Sequence, residues 1–148
     1  PPPYPRPVRV LAVDFGEKRV GLAVSDATGA IVVPVGVVLR RSDAQAASEV
    51  AAAARERDAE GFVVGLPVRQ GGGESPFAAR ARSFARKLAS LSGLPVNLHD
   101  EALTSASAES ALRDAGYSRE RRSSAVDAEA AAELLRDWLS SRSGGGPR

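Results

Sequence analysis

The chain of 148 residues contains no cysteine, a single histidine and no apolar run that approaches the roughly 20 residues of a transmembrane helix. Without cysteine, a disulfide framework, a thiolate metal site and a cysteine nucleophile are all excluded, and a reducing compartment is expected. The N-terminal PPPYPRP lacks the apolar core of a signal peptide. We therefore expect a cytoplasmic protein with no membrane partner, whose available metal ligands are carboxylates and one imidazole.

The chain also has little net charge, because 20 basic residues are offset by 18 acidic ones, giving a formal charge of +2. This small value argues against a histone-like binder of polyanions, so the distribution of charge matters more than its total. A local excess lies in residues 111–126, where four arginines accompany two acids: Arg113, Arg119, Arg121 and Arg122 with Asp114 and Glu120. Arginine suits phosphate oxygens, although an ordinary solvated loop can carry the same charges.

The length fits one domain over residues 8–141, between a disordered proline-rich arm (1–7) and a flexible tail (142–148). Three closely spaced apolar runs, at 8–15, 19–25 and 31–39, predict an antiparallel meander. Pro34 lacks a backbone donor, which predicts an edge position or a bulge for the third strand. Ser42 and Gln45 form a capping box that should open a helix running to about Arg57.

A short apolar run at 61–65 then predicts a buried strand, which the preceding crossover helix should make parallel to a neighbour. Ser75 and Pro76 should begin a second helix that ends at Gly93, followed by a fifth strand at 94–101. A short helix at 103–116, an arginine-rich linker and a helix from Ser124 to about Ser141 complete the prediction. The expected fold is α/β, with a five-stranded mixed sheet flanked by about four helices.

Carboxylates occur at three separate positions that are typical of metal-binding or catalytic acids. Asp14 ends the first strand, Asp100 and Glu101 end the fifth, and Asp127 lies on the face of its helix that carries the apolar residues. Each has an ordinary explanation: a turn cap, a solvated strand end and a favourable charge near a helix N-terminus. Taken together, and with no cysteine available, they favour a carboxylate-bound hard cation such as Mg²⁺ or Mn²⁺.

Four motifs in order resemble one family: VDFGEKRVGLAVSD, VVGLP with a glycine-rich loop, HDEALTS and RRSSAVDAEAAAELL. They are similar to the YqgF-type proteins, also called RuvX, which are Holliday-junction-resolvase-like members of the ribonuclease H-like superfamily. The resemblance covers residues 8 to about 141 and implies a ribonuclease H-like fold. It also implies that Asp14, Glu101 and Asp127 are the catalytic, metal-binding acids.

This sequence departs from the family pattern at two positions. Ala102 stands where the motif D-E-R-L-T has arginine, which removes an expected phosphate or salt-bridge contact. Glu17 replaces the threonine of D-x-G-T-K-R and adds negative charge next to the expected site. Neither change affects the three acids, so we expect substrate contacts to differ while the metal chemistry persists.

The expected reaction is phosphodiester hydrolysis assisted by two divalent ions about 3.5 to 4 Å apart, with Asp14 bridging them. The expected nucleic-acid contacts are five basic residues, namely Lys18, Arg19, Arg119, Arg121 and Arg122. His99 could shuttle protons, but a single strand histidine is more often packed or hydrogen-bonded. The loop at Gly71 to Gly73 lacks the lysine and hydroxyl residue of a P-loop, and we interpret it as a mobile flap.

The resemblance also implies a substrate, because family members are described as nucleases that process the 5′ end of pre-16S ribosomal RNA. Resolution of branched DNA is the competing assignment, and a resolvase should act as a symmetric dimer. We expect a monomer or weak homodimer. A non-catalytic RNA-binding module is a third alternative, weakened by the few aromatic residues available for base stacking. An actin-like ATPase needs two lobes, which this length cannot supply.

Overall fold

The computed structural model describes residues 8–67, 75–101 and 119–144. In chain order, the elements are β1 (Val10–Phe15), β2 (Arg19–Ser25), β3 (Val32–Leu39), α1 (Asp43–Glu56), β4 (Gly61–Pro67), α2 (Pro76–Ser92), β5 (Val96–Glu101) and α3 (Arg119–Gly144). The proline-rich arm, the glycine-rich loop, the predicted helix at 103–116 and residues 145–148 lie outside this description. Among the three described helices, none combines the length and apolarity needed to span a bilayer.

The strands form one sheet in the order β3-β2-β1-β4-β5. β1, β2 and β3 pair antiparallel, whereas β4 is parallel to both β1 and β5, so the predicted meander and crossover are confirmed. β3 lies at the edge of the sheet, and its register shifts where Leu22 pairs with Gly36 but Ala23 pairs with Pro34. The edge position and the bulge expected from Pro34 are therefore both present.

Local signals set the ends of α1 and α2. The Ser42 hydroxyl accepts from the Gln45 amide while the Gln45 side chain accepts from the Ser42 amide, which is the predicted capping box. Ser75 caps α2 by accepting from the amide of Ala78 at 3.1 Å. Gly93 closes α2 with a φ of 71°, a conformation that glycine adopts without a Cβ penalty.

The start of α3 differs from the prediction. We expected Ser124 to cap this helix after an arginine-rich linker, but the helix already begins at Arg119 and continues to Gly144. Arginine and glutamate have good helix propensity, and serine is tolerated inside a helix, so RERRSSA can be helical. The arginine-rich segment is thus the first turns of α3 instead of a linker.

Two layers of helix cover the sheet, and β1 is buried between them as predicted. Leu11, Val13 and Phe15 pack with the residues of α1 and α2, whereas Val10 and Ala12 pack with those of α3. Because strand side chains alternate between faces, Asp14 belongs to the α3 side of the sheet. It is half-buried there, at the carboxyl end of the central strand.

Candidate active site

The central feature of the site is the pairing of Asp14 with Gly21 across β1 and β2. Both positions face α3, because Ala12 and Ala23, two residues away on each strand, pack in the α3 core. A Cβ atom built on Gly21 would lie 2.0 Å from the backbone oxygen of Asp127. The α3 backbone at Asp127 therefore rests directly on Gly21, one strand spacing of about 5 Å from Asp14.

This contact sets the position of Asp127 relative to the strand that pairs with Asp14. Asp14 is placed by β1, and Asp127 is placed by the close approach of α3 to the strand next to it. Gly21 is not among the site residues predicted from the sequence. The available signal was a glycine inside a strand, which often marks the close approach of another backbone.

Asp127 is held by an ion pair with Arg19, whose Nε donates to Asp127 Oδ2 at 2.7 Å. Arg19 opens β2, so this pair joins the strand to α3 directly beside Gly21. Burial raises the pKa of the Asp127 carboxyl, while the hydrogen bond and the charge of Arg19 act in the opposite direction. Burial is thus the larger influence on this pKa, and the pairing with Arg19 is the smaller one.

The third predicted acid, Glu101, ends β5. β1 pairs Val13 with Val64, and β4 pairs Gly65 with His99, so Asp14 is level with His99 two strands away. Position 101 lies two residues further along β5, about 10 Å to the side of β1. The Glu101 side chain lies outside the described part of the structure, and Asp100 is exposed.

The donor set can be compared with the ion that the fold class implies. Within the described side chains, no group of three His, Asp or Glu residues is arranged to hold a metal ion, and Glu101 is not among those side chains. Asp14 and Asp127 supply oxygen donors on the same face, as Mg²⁺ and Mn²⁺ prefer. The two carboxylates fit such an ion, although a cation would have to share Asp127 with the guanidinium of Arg19.

His99 lies on β5 with its Nε2 atom 2.6 Å from Asp137 Oδ2 on α3. The interpretation as a hydrogen-bonded strand histidine is therefore confirmed. Its contact joins α3 to the far side of the sheet from β2. The contact between His99 and Asp137 and the ion pair between Arg19 and Asp127 therefore bind α3 to the sheet at two separate positions.

The predicted phosphate contacts divide into three groups. Lys18 is exposed in the turn between β1 and β2, and Arg19 is engaged with Asp127. Arg119, Arg121 and Arg122 belong to the first turns of α3, but their side chains lie outside the description. Ala102, where the motif usually has arginine, is likewise outside the described residues.

Glu17, the second departure from the family motif, lies near Arg80 of α2 at 3.8 Å. α2 covers the sheet face opposite α3, so the Glu17 carboxylate is directed away from Asp127. Glu17 therefore adds negative charge on the α2 side of the sheet, and not directly beside Asp127 as expected. The pair is exposed and of small energetic weight.

Residues 8–141 match the family profile described as "RuvX: Holliday junction resolvase". The chain belongs to the RuvX family. The resemblance noted from the four motifs is thereby confirmed, over nearly all of the described structure. A relative from Anaeromyxobacter sp. (strain K), named "Putative pre-16S rRNA nuclease", is 44% identical over 91% of this chain and 98% of its own. One from Cereibacter sphaeroides (strain ATCC 17029 / ATH 2.4.9), with the same name, is 40% identical over 95% of this chain and 91% of its own.

Solved structures show the same fold at low sequence identity. RuvC of T. thermophilus, in complex with a Holliday junction substrate, aligns with a TM-score of 0.57 at 18% identity, covering 93% of this chain and 96% of that one. The Fowlpox virus resolvase with Holliday junction DNA aligns with a TM-score of 0.56 at 13% identity, covering 92% and 99%. The ribonuclease H-like fold expected for this RuvX protein is therefore confirmed.

Proposed function

We propose that this RuvX protein is a divalent-metal-dependent nuclease that processes the 5′ end of pre-16S ribosomal RNA. The observation that supports the proposal is the close approach of the α3 backbone at Asp127 to Gly21, the strand partner of Asp14 at the carboxyl end of the central strand. The enzyme class, a hydrolase acting on phosphodiester bonds, agrees with the family and with the names of its relatives.

Each residue of the site has a definite part in this reaction. Asp14, Asp127 and Glu101 would hold Mg²⁺ or Mn²⁺ through carboxylate oxygens. When bound, a pair of such ions activates water and stabilises the departing oxygen. Arg19 keeps Asp127 in position before the cation is bound, and Lys18 is exposed at the same turn for contact with a backbone phosphate.

The choice of RNA is supported by the relatives that share 44% and 40% identity, because their names specify pre-16S rRNA. The junction-bound structures share the fold at less than 20% identity, so they support the architecture and not the substrate. The proposal includes a cytoplasmic location, where precursor ribosomal RNA of a bacterial cell is found. It also includes a monomer or weak homodimer, since β1, β2 and α3 of the same chain carry Asp14, Arg19 and Asp127.

The test is cleavage of a labelled pre-16S leader RNA with Mg²⁺ or Mn²⁺ by the wild type and by Asp14→Asn, Glu101→Gln and Asp127→Asn. We expect metal-dependent cleavage by the wild type and a loss of at least about a hundredfold in each variant. Glu129→Gln is the matched control, because Glu129 is on α3 but pairs with Arg136 away from the site. Cleavage by Asp14→Asn at the wild-type rate would contradict the proposal.

A parallel assay with a four-way DNA junction, at the same ionic strength, separates the alternative functions. Cleavage of the junction in preference to the RNA would establish a resolvase. RNA binding that survives removal of metal, with no turnover of either substrate, would establish a non-catalytic binding module. Preferential metal-dependent cleavage of the RNA supports the function proposed above.

A further inference from the structure

The two helices that cover the sheet face opposite α3 differ sharply in charge. α2 has 17 residues with four basic side chains and no acid, the basic ones being Arg80, Arg82, Arg86 and Lys87. α1 has 14 residues, of which three are acidic and one is basic: Asp43, Glu49, Glu56 and Arg55. The positive excess on α2 alone is twice the net charge of +2 carried by the whole chain.

Most of this charge is presented to solvent. Arg80, Arg86 and Lys87 are all exposed. Arg80 and Lys87 are seven residues apart, so they lie on one line along the helix at a separation of about 10 Å. Over residues 8–67, 75–101 and 119–144, neither Arg86 nor Lys87 has an ion-pair partner. The helix therefore carries positive charge that the described protein does not neutralise.

Arg80 is held over aromatic rings instead of being free to move. Its guanidinium carbon is 5.5 Å from the ring centre of Phe77 and 6.0 Å from that of Phe15. Stacking fixes the plane of a guanidinium while leaving N–H groups at its edge available to an anion. The nearby acid, Glu17, is 3.8 Å away with a side chain that is 73% exposed, so it is a weak competitor.

Arg80 lies at the same end of β1 as Asp14, but on the opposite face of the sheet. Phe15 directly follows Asp14 on β1, and Arg80 lies over the Phe15 ring. α2 thus begins at the sheet edge that carries the acids and runs away from it. A strand of nucleic acid that left the site across this sheet edge would reach Arg80 first and then Arg86 and Lys87.

We propose that Arg80, Arg86 and Lys87, together called the α2 basic surface, bind the phosphate backbone of the RNA that extends beyond the cleavage site. This inference rests on the proposed function and adds a second contact region to it. Arginine and lysine contacts of this kind position a strand without reading its sequence. A second copy of the chain is a poor occupant, because two-fold symmetry would set like charges against each other.

The experiment measures the salt dependence of RNA binding. Fluorescence anisotropy with a labelled single-stranded RNA, in EDTA to prevent cleavage, gives the slope of log K against log salt between about 50 and 200 mM. Arg86→Gln and Lys87→Gln should each reduce the slope by about 0.7, and the double variant by about 1.4. Arg55→Gln is the control, because Arg55 is exposed on the acidic helix α1 and should leave the slope unchanged.

Two further measurements separate the outcomes. Glu17→Gln removes the acid near Arg80 and should tighten RNA binding. The double variant should keep the wild-type kcat at saturating RNA and raise KM, because the α2 basic surface lies outside the catalytic residues. A double variant with the wild-type slope, or a slope changed for single-stranded DNA but not for RNA, would overturn the inference. A wild type that binds RNA but never cleaves it contradicts the proposed function alone.

Discussion

At the scale of single residues, Asp127 is a half-buried carboxylate on the sheet face that α3 covers. Its pKa is raised by burial, so the ionised form is disfavoured in the folded protein relative to the unfolded chain. Asp127→Asn should therefore increase the melting temperature at neutral pH while abolishing cleavage. The cost is present above the raised folded pKa and is lost as the pH falls towards the ordinary value of 3.8. The gain over the wild type should accordingly shrink in melting curves recorded at acid pH, and a constant gain would contradict this account.

Arg19 supplies a second residue-scale prediction, because its guanidinium is paired with the Asp127 carboxylate. Arg19→Gln leaves that carboxylate with a weaker neutral donor, which should lower stability by about 1 kcal/mol. Mn²⁺ should then stabilise Arg19→Gln more than it stabilises the wild type, because the ion no longer competes with a guanidinium. Melting temperatures with and without Mn²⁺ measure the difference. Equal metal-induced shifts in both proteins would show that Arg19 and the metal do not share Asp127.

At the scale of elements, the close packing of α3 on β2 sets where Asp127 lies relative to β1. Gly21→Ala would place a Cβ against the Asp127 backbone, so α3 must move outwards. We expect a stability loss of about 1–3 kcal/mol and a large loss of cleavage at temperatures where the variant is still folded. Gly93→Ala is the matched control, because its Cβ has open space and only its φ of 71° is strained. It should lose about 1 kcal/mol and retain activity, since Gly93 lies at the far end of α2.

The turn between β2 and β3 provides an independent element-scale prediction. Asp26 accepts from the amides of Ala30 and Ile31, and from the Thr28 hydroxyl, and these bonds lower its pKa, that of Ile31 most strongly. Because the folded pKa lies below the ordinary 3.8, the stabilisation is present above that value and is lost as the pH falls through the folded pKa. Asp26→Asn should therefore melt earlier than the wild type at neutral pH, converge with it in acid, and cleave RNA normally. A melting difference that persists in strong acid would show that the loss has another origin.

At the scale of the whole molecule, features set by short-range contacts were predictable from the sequence, whereas features set by contacts between distant segments were not. The capping box at Ser42, the cap at Ser75 and the stop at Gly93 are short-range chemistry, so the ends of α1 and α2 were predictable. Ser124 is also a typical N-cap residue, but the helix start predicted from it was wrong because helix propensity extends α3 back to Arg119. The contacts of Asp127 with Arg19 and Gly21 join distant segments, and no local pattern specifies them.

The same topology makes a prediction about assembly. β1, β2 and α3 of one chain bring Asp14, Arg19 and Asp127 together, so a single copy contains the described part of the site. Mixing inactive Asp14→Asn with inactive Asp127→Asn should therefore restore no cleavage, because no exchange of subunits can rebuild an intact acid pair from two damaged chains.

Specific activity should also stay constant on dilution, and light scattering at the same concentrations would give the mass of the particle. Recovery of activity in the mixture would require acids from two chains in one site. That outcome is incompatible with Asp127 being placed against the β2 strand of its own chain by Gly21.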